Sequence, residues 1–367
     1  MQTIVGVNDA KAVKLFSAML MVDISRASYF TSTMMGRGEE APTPIQLLTG
    51  LEKEAGDKIS FDLSVQLKGR PVEGDNPRAG NEEKLSFYTD SVLIDQMWKG
   101  VDPGGKMSRK RTVHNLRTIA KARLSEYFKR LFDEMFFIYL SGARGINDDY
   151  IWPLDWTGRA GNALRAPDTG HLIYGDGSSK LTLTSAGKMT LGVIDKCVAK
   201  AATMGGGTGT LQKLQPVVVN GKETYVMLMH DWSAYDLRRD TGALGWTEIQ
   251  KAAAGADGQN SPIFRNALGA HNGVVMHKHN GIIRFNDYGA GSNVAAARSL
   301  FFGRQAGVLA FGTAGSGMRW DWHEEVFDRG NRLSIGADTI CGVSKTQFNS
   351  LDFGQLSVDV ACVDPNA

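Results

Sequence analysis

The 367 residues are enough for one large domain or two ordinary ones, and 42% hydrophobic with 22% charged residues is a folded globular composition that excludes disordered, collagen-like and coiled-coil classes. The 41 Lys and Arg nearly cancel the 39 Asp and Glu, for a net charge of +2, so any nucleic-acid contact must be local rather than the work of a global basic field. No apolar run approaches the roughly 18 to 20 residues that span a bilayer, and the N-terminus lacks a basic-then-apolar signal pattern, so a soluble chain that is not exported by that route is expected.

In chain order, residues 1–45 join a short helical pattern over 10–21 to polar sequence punctuated by Gly36, Gly38, Pro42 and Pro44, which reads as a loose arm. Over 57–67, Ile59, Phe61, Leu63, Val65 and Leu67 alternate with Ser60, Asp62, Ser64 and Gln66, the period of a half-buried strand. A second alternating run sets Leu85, Phe87 and Leu93 on one face and Lys84, Ser86 and Asp90 on the other. Between the runs, Lys68, Arg70, Glu73, Asp75 and Arg78 stand among Gly69, Pro71, Gly74, Pro77 and Gly80, a long polar hairpin tip. A two-stranded hairpin is marginal in water unless its apolar face is covered. Pattern alone leaves open whether the cover is the chain's own core or a neighbouring copy.

After Pro103, apolar residues at Val113, Leu116, Ala120, Leu124, Phe128, Leu131, Met135 and Ile138 keep helical spacing, predicting one helix over about 109–141 that stops at Gly142 and Gly145. Such a helix would be roughly 50 Å long. Lys106, Arg109, Lys110 and Arg111 gather at its start, where the macrodipole disfavours cations. They read either as a solvated face or as a contact for an acidic partner. A loop-rich stretch leads to a compact α/β texture from about Ser185: a helix through Leu191, Ile194, Val198 and Ala201, a hairpin about Asn220 and Gly221, and a helix capped by Asp231 and running through Leu237. Strands follow over 273–279, 281–285 and 308–311, and alternation from Arg319 to Val363 predicts further strands. No internal repeat is found.

Candidate chemistry is sparse. Cys197, Cys341 and Cys362 are far apart without C-x-x-C spacing and read as reduced core residues in a cytosolic folding environment. His277 and His279 share one face of a predicted strand but lack a third ligand at useful spacing, leaving an exposed strand face as the alternative to a metal. His323-Glu324-Glu325 lacks the second His of a zincin. The glycines at 205–207 and 209 follow a helix, whereas a phosphate-cradling loop opens one. Asp352-Phe353-Gly354 has no other kinase signature beside it. No catalytic residue, metal site or cofactor is expected.

The order of parts is an arm, a charged-tip hairpin, a long helix, an α/β region and returning strands. It resembles the major capsid proteins of tailed bacteriophages with the Hong Kong 97 fold, in the branch typified by coliphage N-four. The wording that carries the likeness is Tyr225-Val226-Met227 through His230, Leu237-Arg238 with Asp240, Asn266-Ala267-Leu268-Gly269, Arg298-Ser299-Leu300 through Gly303, Gln305-Ala306, and Phe348-Asn349 with Asp352-Phe353-Gly354. The resemblance implies an α+β fold with an N-terminal arm (1–45), an extended loop (46–100), a peripheral domain with a spine helix (101–185), an axial domain (186–318) and strands returning to the peripheral domain (319–367).

It also implies self-assembly into hexamers and pentamers of an icosahedral shell around double-stranded DNA, built in the host cytoplasm. Phe61, Leu63, Lys68, Arg70, Glu73, Asp75 and Arg78 would lie across a neighbour. Lys106, Arg109, Lys110 and Arg111 would face DNA or another subunit. Scaffolding would be a separate protein or a segment already removed, and portal and decoration proteins are further expected partners. No residue matches the covalent cross-link made by some members of the fold, so none is predicted for Lys68 or Lys84. The rivals are an encapsulin-like compartment shell and a soluble metal-dependent hydrolase built on His277 and His279.

Overall fold

In the computed structural model, which describes residues 10–365 apart from 39–40, 42, 53–54, 65–66, 68, 86, 113–114, 205–213, 220–221, 241–266 and 314–316, helices and strands are interspersed as far as Arg239, and the described elements beyond it are strands. Helices α1 (Ala10–Ala27) and α2 (Tyr29–Thr33) precede β1 (Met35–Arg37) and β2 (Ile45–Leu48). Strands β3 (Lys58–Ser64), β4 (Phe87–Leu93) and β5 (Asp95–Val101) lead to α3 (Lys106–Arg111) and α4 (Leu116–Ser141). Next come β6 (Gly158–Arg159), β7 (Asn162–Ala163), β8 (Leu172–Tyr174), α5 (Leu191–Thr203), β9 (Val217–Val219), β10 (Lys222–Met229) and α6 (Asp231–Arg239). The remainder is strand: β11 (Gly269–His271), β12 (Val274–Lys278), β13 (Arg284–Tyr288), β14 (Val294–Phe302), β15 (Gly307–Gly312), β16 (Trp320–Phe327), β17 (Arg332–Lys345), β18 (Gln347–Phe348), β19 (Leu351–Asp352) and β20 (Gln355–Ala361).

Residues 131–141 of helix α4 are all buried, and from Met135 to Leu140 the helix is apolar on every side. A helix of that kind has to be wrapped. One wall is a six-stranded sheet, ordered β1-β2-β15-β17-β16 with β5 also on β17. The other is an eight-stranded sheet, ordered β11-β12-β10-β14-β20-β8 with β9 on β10 and β13 on β14. Alternation along β10 sends Val226 and Leu228 into the core around α4, and Met227 and Met229 into a second core beneath α5 and α6. Thr190 caps α5 by accepting the Val193 N–H.

A buried latch ties α4 to the eight-stranded sheet. Arg298 of β14 holds Asp359 of β20 with two hydrogen bonds of 2.7 and 2.8 Å, and its Nη1 donates to the Ser141 carbonyl at the end of α4 (3.0 Å). Tyr288 completes the set, donating to Asp359 at 2.7 Å and accepting from Arg298 at 3.0 Å. At the other end of the buried stretch, Asp133 accepts from Ser28 Oγ (2.7 Å) and the Tyr29 N–H (3.1 Å), and burial pushes its carboxyl up to about 6. Gly142 stops α4 at φ 68°, where a Cβ would stand 2.0 Å from the Arg165 carbonyl oxygen, so the close turn requires glycine.

Several expectations are corrected. The helix predicted from Arg109 starts at Leu116 and is about 39 Å long. The basic residues form their own short helix, ended by extended backbone at Thr112 (φ −98°, ψ 142°). The arm is not loose over its described part: Phe30 packs between Phe136 and Phe137 at 5.0 and 4.9 Å, and β2 lies between β1 and β15. His230, not Asp231, caps α6, its ring accepting the Trp232 N–H. The strand after Asn280 starts at Arg284 and pairs with β14 rather than folding back on β12.

Both large sheets draw strands from distant parts of the chain: β5 and β15 join β17 in the six-stranded sheet, while β8 and β20 join β14 in the eight-stranded one. The three cysteines are buried and free, and burial pushes Cys197 and Cys341 up to about 12 and Cys362 to about 11. The glycines at 205–207 lie outside the described residues. No described helix is long and apolar enough to cross a membrane.

Arg298→Ala leaves Asp359 buried without its cation and detaches the end of α4. The expected loss is about 3–5 kcal/mol in denaturant unfolding of the unassembled subunit, and a loss below about 1 kcal/mol would remove the latch from this account.

Candidate assembly surface

Strands β3 and β4 pair antiparallel from Lys58 opposite Leu93 to Ser64 opposite Phe87. The base of this hairpin lies on its own chain. Ile59, Phe61 and Val92 pack against Val308 and Ala310 of β15, and Phe61 meets the edge of Phe348 at 6.0 Å. Tyr88 and Asp90 face the same way, which reverses the face expected for the second strand: Phe87 points outward and is 60% exposed. A shift of one residue exchanges the faces of a strand, and here a buried carboxylate decides it. Asp90 accepts two hydrogen bonds from Arg165 (2.6 and 2.8 Å) and one from the Gln347 N–H (3.1 Å). Asn162 then grips Leu93 as a strand neighbour would, donating to its carbonyl at 2.7 Å and accepting its N–H at 2.9 Å. Neither Arg165 nor Asn162 carries a sequence signal, because each lies about 70 residues or more from its partner.

Beyond Ser64 and Phe87 that cover ends. Every described residue from 67 to 85 is exposed, including Arg70, Glu73, Asp75 and Arg78. Lys68 lies outside the described residues, and Leu63 is placed only by its strand position opposite Tyr88. Local bonds shape the tip: Glu83 accepts the Gly69 N–H at 2.6 Å, and Asn76 and Asn81 donate to the Glu73 and Pro77 carbonyls. Leu67, Val72 and Leu85 are 62%, 38% and 64% exposed, so the tip carries apolar surface that its own fold leaves in water.

The basic cluster stands at the neck between β5 and α4. Lys106, Lys110 and Arg111 are exposed, and Arg109 donates to the Asn331 carbonyl at 3.1 Å. Asn331 also accepts the Lys106 N–H (3.2 Å), so α3 docks on the β16–β17 turn, which brings exposed Arg329 and Arg332 to the same neck. Those two arginines escape a reading of local charge runs. Arg332 is half satisfied by Asp102 at 3.6 Å.

The histidine candidates separate. His277 is buried, against the expectation of an exposed strand face, and His279 packs on Phe137 at 4.7 Å and Tyr29 at 5.1 Å. Burial holds the His279 imidazole down at about 4, and its Nδ1 accepts the Gly281 N–H. Asp352 is fully buried and pairs with the equally buried Lys345 at 2.8 Å, a structural role for the Asp-Phe-Gly tripeptide.

The family model described as phage capsid protein matches residues 4–363. The major capsid protein of Pseudomonas phage KPP25 is 25% identical, over 88% of this chain and 89% of that protein. The solved capsid of Ralstonia phage GP4 is 47% identical, covers 100% of both chains and superposes with a TM-score of 0.87. The cyanophage Pam1 capsid subunit, 23% identical over 92% of this chain and 93% of its own with a TM-score of 0.71, shares the fold.

Arg165→Ala strips Asp90 of its cation at a partly exposed site, for an expected loss of about 1.5–3 kcal/mol. Amide exchange should quicken in 58–64 and 87–93 before it does in the six-stranded sheet. Unchanged exchange there would mean that apolar contact alone holds the hairpin base.

Proposed function

Because the chain belongs to the phage capsid protein family, we infer that it is a major capsid protein, the repeated subunit of an icosahedral phage head shell built on the Hong Kong 97-type fold. Its place is the virion, and its work is assembly. The hydrolase reading loses its footing because His277 and His279 are packed into the interior. The compartment-shell reading is not favoured by relatives that are named as phage capsids.

The observation that carries the assembly mechanism is the division of the hairpin into a covered base and an uncovered tip. Phe61 anchors the base, and the tip with Lys68, Arg70, Glu73, Asp75 and Arg78 lies across an adjacent copy. Leu67, Val72, Leu85 and Phe87 supply the apolar part of that contact, each contributing on the order of 1.5–3 kcal/mol if fully buried. The mixed charges of the tip set register and choice of partner more than affinity. A covered base matters here, since a hairpin held rigid at one end loses less entropy when its tip docks.

Copies meeting around hexamer and pentamer axes would enclose double-stranded DNA without reading its sequence. Scaffolding, portal and decoration proteins are separate partners in this reading. Lys106, Arg109, Lys110 and Arg111, joined at the neck by Arg329 and Arg332, form the local basic surface for phosphate or for a neighbouring subunit's carboxylates.

Replacing 70–82 by a short Gly-Ser turn should leave circular dichroism and the unfolding midpoint of the free subunit nearly unchanged while abolishing closed shells in electron micrographs. Normal shells from that variant would remove the tip from assembly. Changing Lys106, Arg109, Lys110 and Arg111 together to Gln should lower either shell yield or packaged DNA per particle by several-fold. Wild-type values of both would leave the cluster as a solvated face.

A further inference from the structure

Strands β16 and β17 place two carboxylates side by side on the face of the six-stranded sheet turned away from α4. Asp321 stands directly opposite Asp338 in the ladder, and His323, two residues on, stands opposite Gly336. Trp320 and Trp322 point the other way, into the core. Like charges directly opposed across a ladder are unfavourable in themselves. These two are also buried, at 5% and 3% exposure.

One oxygen of each carboxylate is occupied. Asp321 Oδ1 accepts the Trp322 N–H at 3.0 Å, and Asp338 Oδ2 accepts from Gln96 at 2.5 Å. The other two oxygens converge on one ring nitrogen: His323 Nε2 lies 3.7 Å from Asp321 Oδ2 and 3.1 Å from Asp338 Oδ1. Asp338 Oδ1 is buried and takes part in no hydrogen bond. Among the described residues His323 is the one cation-forming group that reaches either carboxylate. Two buried carboxylate oxygens and one ring nitrogen thus converge from two strands, a donor set that a single cation could share.

We propose that Asp321, His323 and Asp338 bind a divalent transition-metal ion of the zinc type, which clamps β16 to β17. The three donor atoms lie within 4.8 Å of one another. Ligands held about 2.0–2.1 Å from a tetrahedral zinc stand about 3.3 Å apart, so the two separations from His323, 3.1 and 3.7 Å, bracket that value, and the two carboxylate oxygens, within 4.8 Å of each other, close onto the ion. Gln96 supplies the outer hydrogen bond that orients Asp338, as ligand carboxylates require. His323 is 55% exposed on its side chain, which leaves an entry path and an open coordination position on the solvent side. The imidazole sets the class of ion, since calcium and magnesium favour all-oxygen sets.

The full-length chain, stripped with chelator and dialysed, is titrated with zinc chloride while bound metal and the unfolding midpoint are measured. One zinc per chain and a raised midpoint are expected, with no response to magnesium or calcium at the same concentration. His323→Ala removes an exposed ring and should keep the metal-free midpoint while weakening zinc uptake at least tenfold. Asp338→Asn should do the same to uptake, and Glu325→Ala on the same strand should bind as wild type. Absence of stoichiometric uptake by the wild type, or uptake by a folded His323→Ala chain within a few-fold of wild type, overturns the proposal.

Discussion

A helix buried around its whole circumference needs cover on every side, and residues 131–141 of α4 are such a stretch. Every larger feature of this subunit answers that constraint. The six-stranded sheet covers it through Phe311, Trp320, Trp322 and Ile335, the eight-stranded sheet through Val226, Leu228, Leu300 and Phe302, and the N-terminal segment closes the gap with Leu20, Ile24 and Phe30. The charged groups that hold this interior together are partnered. Asp133 binds the start of α2, and Arg298 binds Asp359 and the last carbonyl of α4. The helix is thereby held at both ends of its buried stretch, and the two sheets are set against it.

That rigid body is what makes a protruding hairpin useful. Strands β3 and β4 leave the six-stranded sheet from a base fixed by Arg165, Asn162 and the Phe61–Phe348 contact. The tip then carries its apolar residues out to where only another molecule can cover them. The same division separates two tasks in the proposed assembly: the base belongs to folding, and the docking proposed for this subunit falls to the tip. The basic neck is built in a similar way, because the Lys106 N–H and the Arg109 guanidinium dock α3 on Asn331 while residues Lys106, Lys110 and Arg111 stay exposed.

Much of the fold was legible in local pattern. Strict alternation of Ile59, Phe61 and Leu63 marked β3, the Asn220-Gly221 pair marked the β9–β10 hairpin, and Gly142 marked the end of α4. Signals failed where a distant residue outweighed the local one. The inward face of β4 was misread because Asp90 looks like a surface residue until Arg165 is beside it. The start of α4 falls later than predicted because no local signal marks the extended backbone at Thr112, which sets the basic residues apart as their own short helix. His323 offered only an incomplete motif along the chain, since one of its two carboxylate neighbours comes from another strand.

By itself, then, the sequence determined the kinds of element, their approximate bounds, the absence of a global charge field, and the presence of a hairpin with more apolar surface than it could hide. These follow from interactions among residues a few positions apart, which periodicity records. Only the tertiary structure decided which strands share a sheet, how far the hairpin is covered by its own chain, and which charges meet. Asp90 with Arg165 and Arg298 with Asp359 are brought together by the path of the whole chain, and no local pattern encodes such a contact.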